Sequence, residues 1–554
     1  MMETYFKQFV RYNYFFGLAL MIVSLPFSKF MLSVGQWWIT GAWIFERLDL
    51  QKIQNFYHNK ARLPFYLLIF PYILCLMAEG IGKGFKEFFK NKPAMIIASL
   101  FMLHVAGLIF TTDFQYAFKD LRTKIPLFIL PLFLSTSETL SKKVFYRYLL
   151  LFILALTVGT IINTWKVINH DYLDIRDVAH HVGHIIFGLL ICFSLFTLGY
   201  FIVKKNHFSF GLKIVFAFVF IWLTTYLFIT KSITGFAVFL LTLMILLPVL
   251  IFRRKNRWLQ TGLILLIVAV TAGVFLYLQR AIHDFYHIDP VDYSRLEKYT
   301  TRGNPYEHNP FNQQTENGKY LWLYVQWDEL RDSWNKRSQI RFDNLDLKGN
   351  PVKFTIIRFL TSKGERKDAD AVDKLSDDEI KAIEKGIANT LFLEKFSIRG
   401  RIYEFLMGYE NYRQSENPTG STIMQRLEFW KASLGLISDN WLYGVGTGDM
   451  NTAFHQQYEK MQTKLAPDQR WRSHNQFLSI FIGFGIFGLL WFLFAIGYPP
   501  LKLRWYDDFF FLIFLVIALL SMLTEDTIES QTGVTFFAFF YSFLLFLRKE
   551  KDPV

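Results

Sequence analysis

The sequence has almost no cysteine, with Cys75 and Cys192 the only two among 554 residues. A disulfide framework and a cysteine-ligated zinc site are therefore excluded. Both thiols fall inside apolar runs, where each is expected to behave as a small buried hydrophobe. A cleavage site is also missing: the first apolar stretch, Tyr14 to Leu32, carries aromatics and Pro26 and continues without an A-x-A-like motif. It reads as a retained span and not as a signal peptide. No internal repeat of the inverted-transporter kind is visible.

What is present is apolar and aromatic. Hydrophobic residues make up 52% of the chain, including 61 Phe, 27 Tyr and 14 Trp. Runs long enough to cross about 30 Å of hydrocarbon recur from Tyr14 to Leu547. This excludes a soluble enzyme, a disordered chain and a small secreted domain. The mean hydropathy is only +0.24, so polar sequence dilutes the membrane part, mainly between Ala281 and Ser473.

The formal charge of +14 does not point to nucleic acid, because Lys and Arg gather in short connectors between apolar runs. Positive-inside bias explains them. Lys204 and Lys205; Arg253, Arg254, Lys255 and Arg257; Lys502 and Arg504; and Arg548, Lys549 and Lys551 mark cytoplasmic connectors. The exoplasmic segments are then Thr111 to Lys124, Asn169 to His181, a turn near Lys231, the large polar block, and Glu525 to Gln531. The run Phe65 to Ile81 contains Pro71 and has basic flanks on both sides, so it reads as re-entrant or interfacial.

The expected fold is an all-α polytopic membrane protein of about twelve transmembrane helices, with one large mixed α/β exoplasmic loop. Crossings are placed near 12–32, 33–46, 93–112, 123–137, 145–165, 182–203, 211–230, 232–252, 258–279, 474–497, 506–524 and 532–548. Three regions follow: an N-terminal membrane domain at 1–280, the loop at 281–473, and C-terminal membrane helices at 474–554.

Within the loop, Tyr320 to Val325 and Val352 to Phe359 alternate like strands, while Ser376 before an acidic turn signals a helix over 376–388. Ile423 to Ile437 has the pattern of an amphipathic helix carrying Trp430, followed by a flexible turn at Gly444, Gly446 and Gly448. Trp322, Trp327 and Trp334 either stack on sugars or form the core of a small cap. Asp368-Ala369-Asp370, and more weakly Asp343 with Asp346, have the spacing of a metal site, but their charged surroundings fit a solvated loop better.

Ionisable residues converge at the exoplasmic ends of the spans, and such groups are functional candidates. They are Arg122 and Lys124; Arg176, His180, His181 and His184; Lys231 in T-K-S-I-T-G; Arg426; Arg470, Arg472 and His474; and Glu525, Asp526 and Glu529. This cationic rim suits an anionic headgroup. For Arg122 and Lys124 the competing reading is snorkelling at the interface. No carboxylate completes a zinc pattern around the histidine trio. The acidic turn is either a solvated loop or the structural partner of an arginine.

The string R-S-H-N-Q-F-L-S-I-F-I-G-F-G from Arg472, Q-R-L-E-F-W-K-A-S from Gln425 and G-V-G-T-G-D from Gly444 resemble signatures of the O-antigen ligase and polymerase superfamily. D-L-R-T-K-I-P-L from Asp120 and E-D-T-I-E-S-Q-T-G from Glu525 are similar to blocks of that superfamily, the second to its Bacteroidetes-type lipopolysaccharide ligases. In the turn where many members carry Ser-Arg, this chain has Lys231, Ser232 and Ile233.

The resemblance implies en bloc transfer of a glycan from undecaprenyl diphosphate to a hydroxyl of lipid A core, at the periplasmic face of the inner membrane, without cofactor or metal. His474 then serves as catalytic base and Arg426 as the first cation on the diphosphate. Lys231, Arg122 and Lys124 are further diphosphate candidates. Arg176, His180, His181, Arg472, Asn475, Glu525 and Glu529 are supporting candidates. The rival activities are O-antigen polymerisation and transfer of glycan to protein Ser or Thr, with transport of a lipid-linked glycan as a reading from another class.

Overall fold

The computed structural model describes residues 2–59, 65–169, 178, 182–204, 208–230, 232–253, 256–393 and 398–552. It is 74% helical, with one two-stranded antiparallel sheet, Thr315–Glu316 against Lys319–Tyr320. The chain divides into two compact units, Met1–Gln260 with Arg426–Val554, and Thr261–Gln425.

The first unit opens with α1 (Met2–Ser24), α2 (Lys29–Glu46), α3 (Leu50–Asn59), α4 (Phe65–Lys90) and α5 (Lys92–Ala106). It continues through α6 (Phe114–Lys124), α7 (Pro126–Thr136), α8 (Lys142–Asn169), α9 (His184–Val203), α10 (Phe210–Ile229), α11 (Ile233–Arg253) and the start of α12 (Arg257–Tyr286). The second unit holds the rest of α12 and then α13 (Trp327–Arg337), α14 (Val352–Lys363), α15 (Ala369–Asp373), α16 (Asp377–Glu384) and α17 (Ile398–Ser415). The chain returns to the first unit within α18 (Thr422–Asn440), followed by α19 (Met450–Lys460), α20 (Gln476–Lys502), α21 (Phe509–Thr524) and α22 (Gln531–Phe546).

Among the described residues seven helices are long and apolar enough to cross a bilayer: Lys92–Phe110, Lys142–Asn169, His184–Val203, Phe210–Ile229, Thr234–Phe252, Arg257–Tyr286 and Gln476–Lys502. The chain is a multi-pass membrane protein. Its main core is aromatic and aliphatic, with α9 packed against α10, α11 and α21, and α7 packed against α5 and α22.

Several boundaries differ from the sequence expectation for identifiable reasons. The first two apolar runs, expected as crossings at 12–32 and 33–46, form α1 and α2 with other bounds, because the chain turns at Pro26 and Ser28 caps the second helix by accepting from Met31 N at 3.3 Å; neither is among the seven helices above. The run at 123–137 is divided at Ile125 by Pro126, which opens α7. Helices α21 and α22 have 16 residues each, about 24 Å of rise, and are shorter than the runs suggested. Phe65 to Ile81 is part of one helix that continues to Lys90.

The expected strand at Val352 to Phe359 is helical, because Gly364 in the left-handed conformation closes a turn whose buried face is Val352, Ile356, Ile357, Phe359 and Leu360. Tyr320 to Val325 supplies the end of the small sheet, at Tyr320, and isolated β-bridges from Val325 to Glu307 and Lys367, but no continuous strand. Ser376 does start a helix, with a reciprocal capping box to Glu379. Trp334 is wholly buried in the second unit's core, and Trp322 and Trp327 pack against that core. Cys192 is buried as expected, whereas Cys75 is exposed on α4.

Helix α20 is broken at Gly485, whose φ of 64° and ψ of −167° suit glycine. In a regular helix Ile486 N–H would bond the carbonyl of Ile482. Here it donates to Trp441 O at 2.9 Å, while Val445 N–H donates to Ile482 O at 2.8 Å and Gly446 N–H to Gly483 O at 2.9 Å. The glycine turn 444–448 thus fills the gap that the break opens. A side chain at Gly444 would lie 2.4 Å from the Gly483 carbonyl carbon.

Candidate active site

The site is built on the short connection between α21 and α22, against the first turn of α20. Three carboxylates leave this connection in three directions: Glu525, Asp526 and Glu529. Asp526 accepts the Asn475 N–H at 3.1 Å and the Ser479 hydroxyl at 2.7 Å, tying the connection to the start of α20. Asn475 caps α20 by accepting from Leu478 N at 3.1 Å, and its amide donates to Leu523 O at 3.0 Å.

Glu529 points into a buried ionic cluster. Its Oε2 accepts from Lys124 Nζ at 2.7 Å and from Arg472 Nη1 at 3.4 Å, and its Oε1 accepts from Gln476 Nε2 at 3.1 Å. Lys124 also donates to both oxygens of Asp120 at 2.6 Å. Arg472 donates to Asn451 Oδ1 at 2.8 Å and to the Tyr116 hydroxyl, with its guanidinium over the Tyr116 ring.

Asp120, Asp526 and Glu529 outnumber the cations Lys124 and Arg472, and burial penalises every extra charge. Burial, followed by the neighbouring Glu529 charge, raises the Asp526 pKa. For Glu529 burial acts upward too, yet Lys124 and Arg472 together outweigh it and lower the pKa to about 2.

Glu525 faces the other way. Its Oε1 accepts from Arg426 Nη2 at 2.7 Å, and its Oε2 lies 3.4 Å from His474 Nδ1. Arg426 Nη1 donates to Thr524 O at 2.7 Å, so two of its five N–H groups fix the guanidinium plane. Arg426 and His474 keep 28% and 33% of their side-chain surface exposed, enough for a ligand to reach both. His474 has φ +47°, a conformation that costs a non-glycine residue about 1–3 kcal/mol and persists only where neighbours hold it. They do: the Trp430 indole donates to Ser473 O at 3.0 Å, Asn475 N–H is held by Asp526, and the Phe429 ring lies 5.6 Å from the imidazole.

Arg426, His474, Asn475 and Glu525 therefore lie together. Glu529 and Arg472 sit behind them. Lys124 is only 1% exposed, and the interfacial reading does not describe it: it is a buried ion-pair partner. Arg122 is exposed, with no side-chain partner among the described residues. Arg176, His180, His181 and Lys231 lie outside the described residues. Asp368 caps α15 by accepting from Ala371 N, Asp343 pairs with Arg331, and Asp346 holds its own turn through Lys348 N and Asn350 N.

Sequence reasoning did not single out Asp120, Tyr116 or Gln476. The Asp120–Lys124 pair had a signal, an acid four residues before a lysine on a helix. Tyr116 and Gln476 had none.

A family model described as O-Antigen ligase matches residues 386–493. That stretch contains Arg426, the glycine turn, Arg472, His474 and Asn475, and the match is consistent with a member of the O-antigen ligase superfamily. The blocks at Asp120 and Glu525 lie outside it. No curated protein matches the chain.

Proposed function

We propose that this chain transfers a glycan en bloc from undecaprenyl diphosphate to a hydroxyl of lipid A core, at the periplasmic face of the bacterial inner membrane. The observation that carries this reading is Glu525, which holds Arg426 with one oxygen and faces His474 Nδ1 with the other. A proton on Nδ1 leaves Nε2 as the acceptor nitrogen.

The acceptor hydroxyl attacks the anomeric carbon and forms the new glycosidic bond. The anomeric C–O bond to phosphate breaks, and its electron pair leaves with undecaprenyl diphosphate. His474 Nε2 takes the hydroxyl proton as attack proceeds. Glu525 stabilises the imidazolium that results. Negative charge grows on the leaving diphosphate, and the oriented Arg426 guanidinium stabilises it more than it stabilises the bound donor. A single displacement inverts the anomeric centre.

Arg122, exposed at the end of α6, and Lys231 are proposed as further diphosphate contacts. Lys124 and Arg472 support the site from behind, through Glu529.

The test is transfer in vitro with purified protein, undecaprenyl diphosphate glycan and lipid A core, with and without EDTA. Product from the wild type in either condition, lost in folded His474→Ala and Arg426→Ala, supports the proposal. Donor consumed into longer chains or onto protein moves the assignment to polymerase or oligosaccharyltransferase. A folded protein that consumes no donor points to transport.

A further inference from the structure

A cavity of about 570 Å³ opens within the first unit among Phe110 and Thr112, which follow α5, the C-terminal half of α18, and α19. Its wall includes residues 436–440 of α18, about 15–21 Å along that helix from Arg426. It is therefore separate from the His474 centre.

Two observations single it out. Gln457 lines this cavity and is 93% buried, yet its carboxamide has no hydrogen-bond partner among the described residues. The carboxamide oxygen and nitrogen are not among the fully enclosed orphan polar atoms, so the cavity is their outlet. Buried amides normally find partners, and a ligand would supply them. The second observation is Gly435: a Cβ there would lie 2.1 Å from Gln457 Nε2. Helix α18 gives up a side chain where the carboxamide sits.

The rest of the wall defines the chemistry of the occupant. Asp439, Asp449 and Lys460 give it a net charge of −1, which disfavours a phosphate or diphosphate. Lys460 is already paired with Asp439 at 2.8 Å. Thr452 and Gln456 add hydroxyl and amide groups. On one side the Phe110 ring, stacked on Tyr443 at 5.6 Å and 21°, offers a flat apolar face. Amide and hydroxyl groups around an aromatic platform, in a cavity of ligand size, match a sugar ring with its vicinal hydroxyls and apolar C–H face.

We propose that this cavity is a saccharide-binding subsite, with the Gln457 carboxamide as its central hydrogen-bonding group. This inference rests on the lining alone and not on the reaction assigned to His474, so the two can fail separately. The sugar can come from the acceptor or from the donor glycan, and the experiment separates these sources.

The test is calorimetric titration of the full-length protein in detergent with two probes: delipidated core oligosaccharide, and the glycan fragment released from the donor by mild acid. Gln457→Ala removes the carboxamide. Gly435→Ala displaces it with a residue that favours the helix. Both variants are checked by melting temperature and elution volume, and the second keeps the test open where the first does not fold.

Binding of either probe by the wild type, weakened about tenfold or more in the folded variants, supports the subsite, and the probe that binds names the source. His474→Ala retains that binding. Binding of neither probe, or equal binding by wild type and both variants, overturns the inference. Binding by a wild type that forms no transfer product overturns the proposed reaction and leaves the subsite standing.

Discussion

Glu525 and Glu529 are the same residue type, four positions apart on one connection, and they do opposite work. Glu529, whose side chain is exposed to the same extent as that of Glu525 (17% against 18%), is satisfied by two cations and an amide, and its pKa is lowered to about 2. Glu525 bridges two groups that remain partly open, one of them through a longer 3.4 Å contact. The difference lies in what each carboxylate leaves available. A carboxylate that completes a buried cluster contributes to the fold, and one that orients groups still facing outward contributes to chemistry.

That contrast can be broken most directly at His474. His474→Ala is expected to lower the transfer rate by about 10²–10⁴ with an unchanged melting temperature, measured as product formed per minute by purified protein. A parallel loss of stability would make His474 part of the foundation. Glu529→Gln is expected to do the reverse, destabilising the first unit by about 1.5–3 kcal/mol by removing the carboxylate that Lys124 and Arg472 share. Thermal unfolding in detergent reads this, and an unchanged melting temperature with lost activity would move Glu529 to the front.

Glu525→Gln sharpens the comparison at its front side. Losing one charge-assisted bond of about 1.5–3 kcal/mol should slow transfer by about 10–100-fold, with less effect on melting than Glu529→Gln.

Acid should act through Glu529. Its folded-state pKa lies below the ordinary value of 4.5, so the stability it contributes is present above pH 4.5 and is lost as pH falls toward about 2. Asp526, raised by burial, works in the opposite sense and partly offsets the loss. Melting temperature followed from pH 5 downward should therefore fall less steeply in Glu529→Gln than in the wild type. The smallest effect is expected in the second unit: Ser376→Ala should cost it about 1 kcal/mol through its lost cap and leave the transfer rate unchanged.

Much of the front was legible in the sequence. His474, Asn475 and Glu525 stand at the edges of long apolar runs, where polar groups need a reason, and Arg426 lies in the amphipathic helix that carries Trp430. What the sequence hid was which charges find one another. Lys124 and Arg472 look like the same kind of rim cation as Arg426, and only tertiary packing commits both to Glu529. In the second unit, Val352 to Phe359 alternates over a few residues like a strand, and the Gly364 cap and core contacts decide for helix. Gln457 and Gly435 carry no signal at all, because a glycine that makes room for a distant amide looks like any other helical glycine.

The interruption of α20 at Gly485 has a consequence for biogenesis. A segment with opened backbone bonds is poorly suited to enter lipid alone, and the groups that close those bonds belong to residues 441–446. These are synthesised before α20, so they can be waiting when it emerges. The chain order supplies a helix's missing partner ahead of the helix itself, and a circular permutation that reversed this order should impair insertion even with every residue retained.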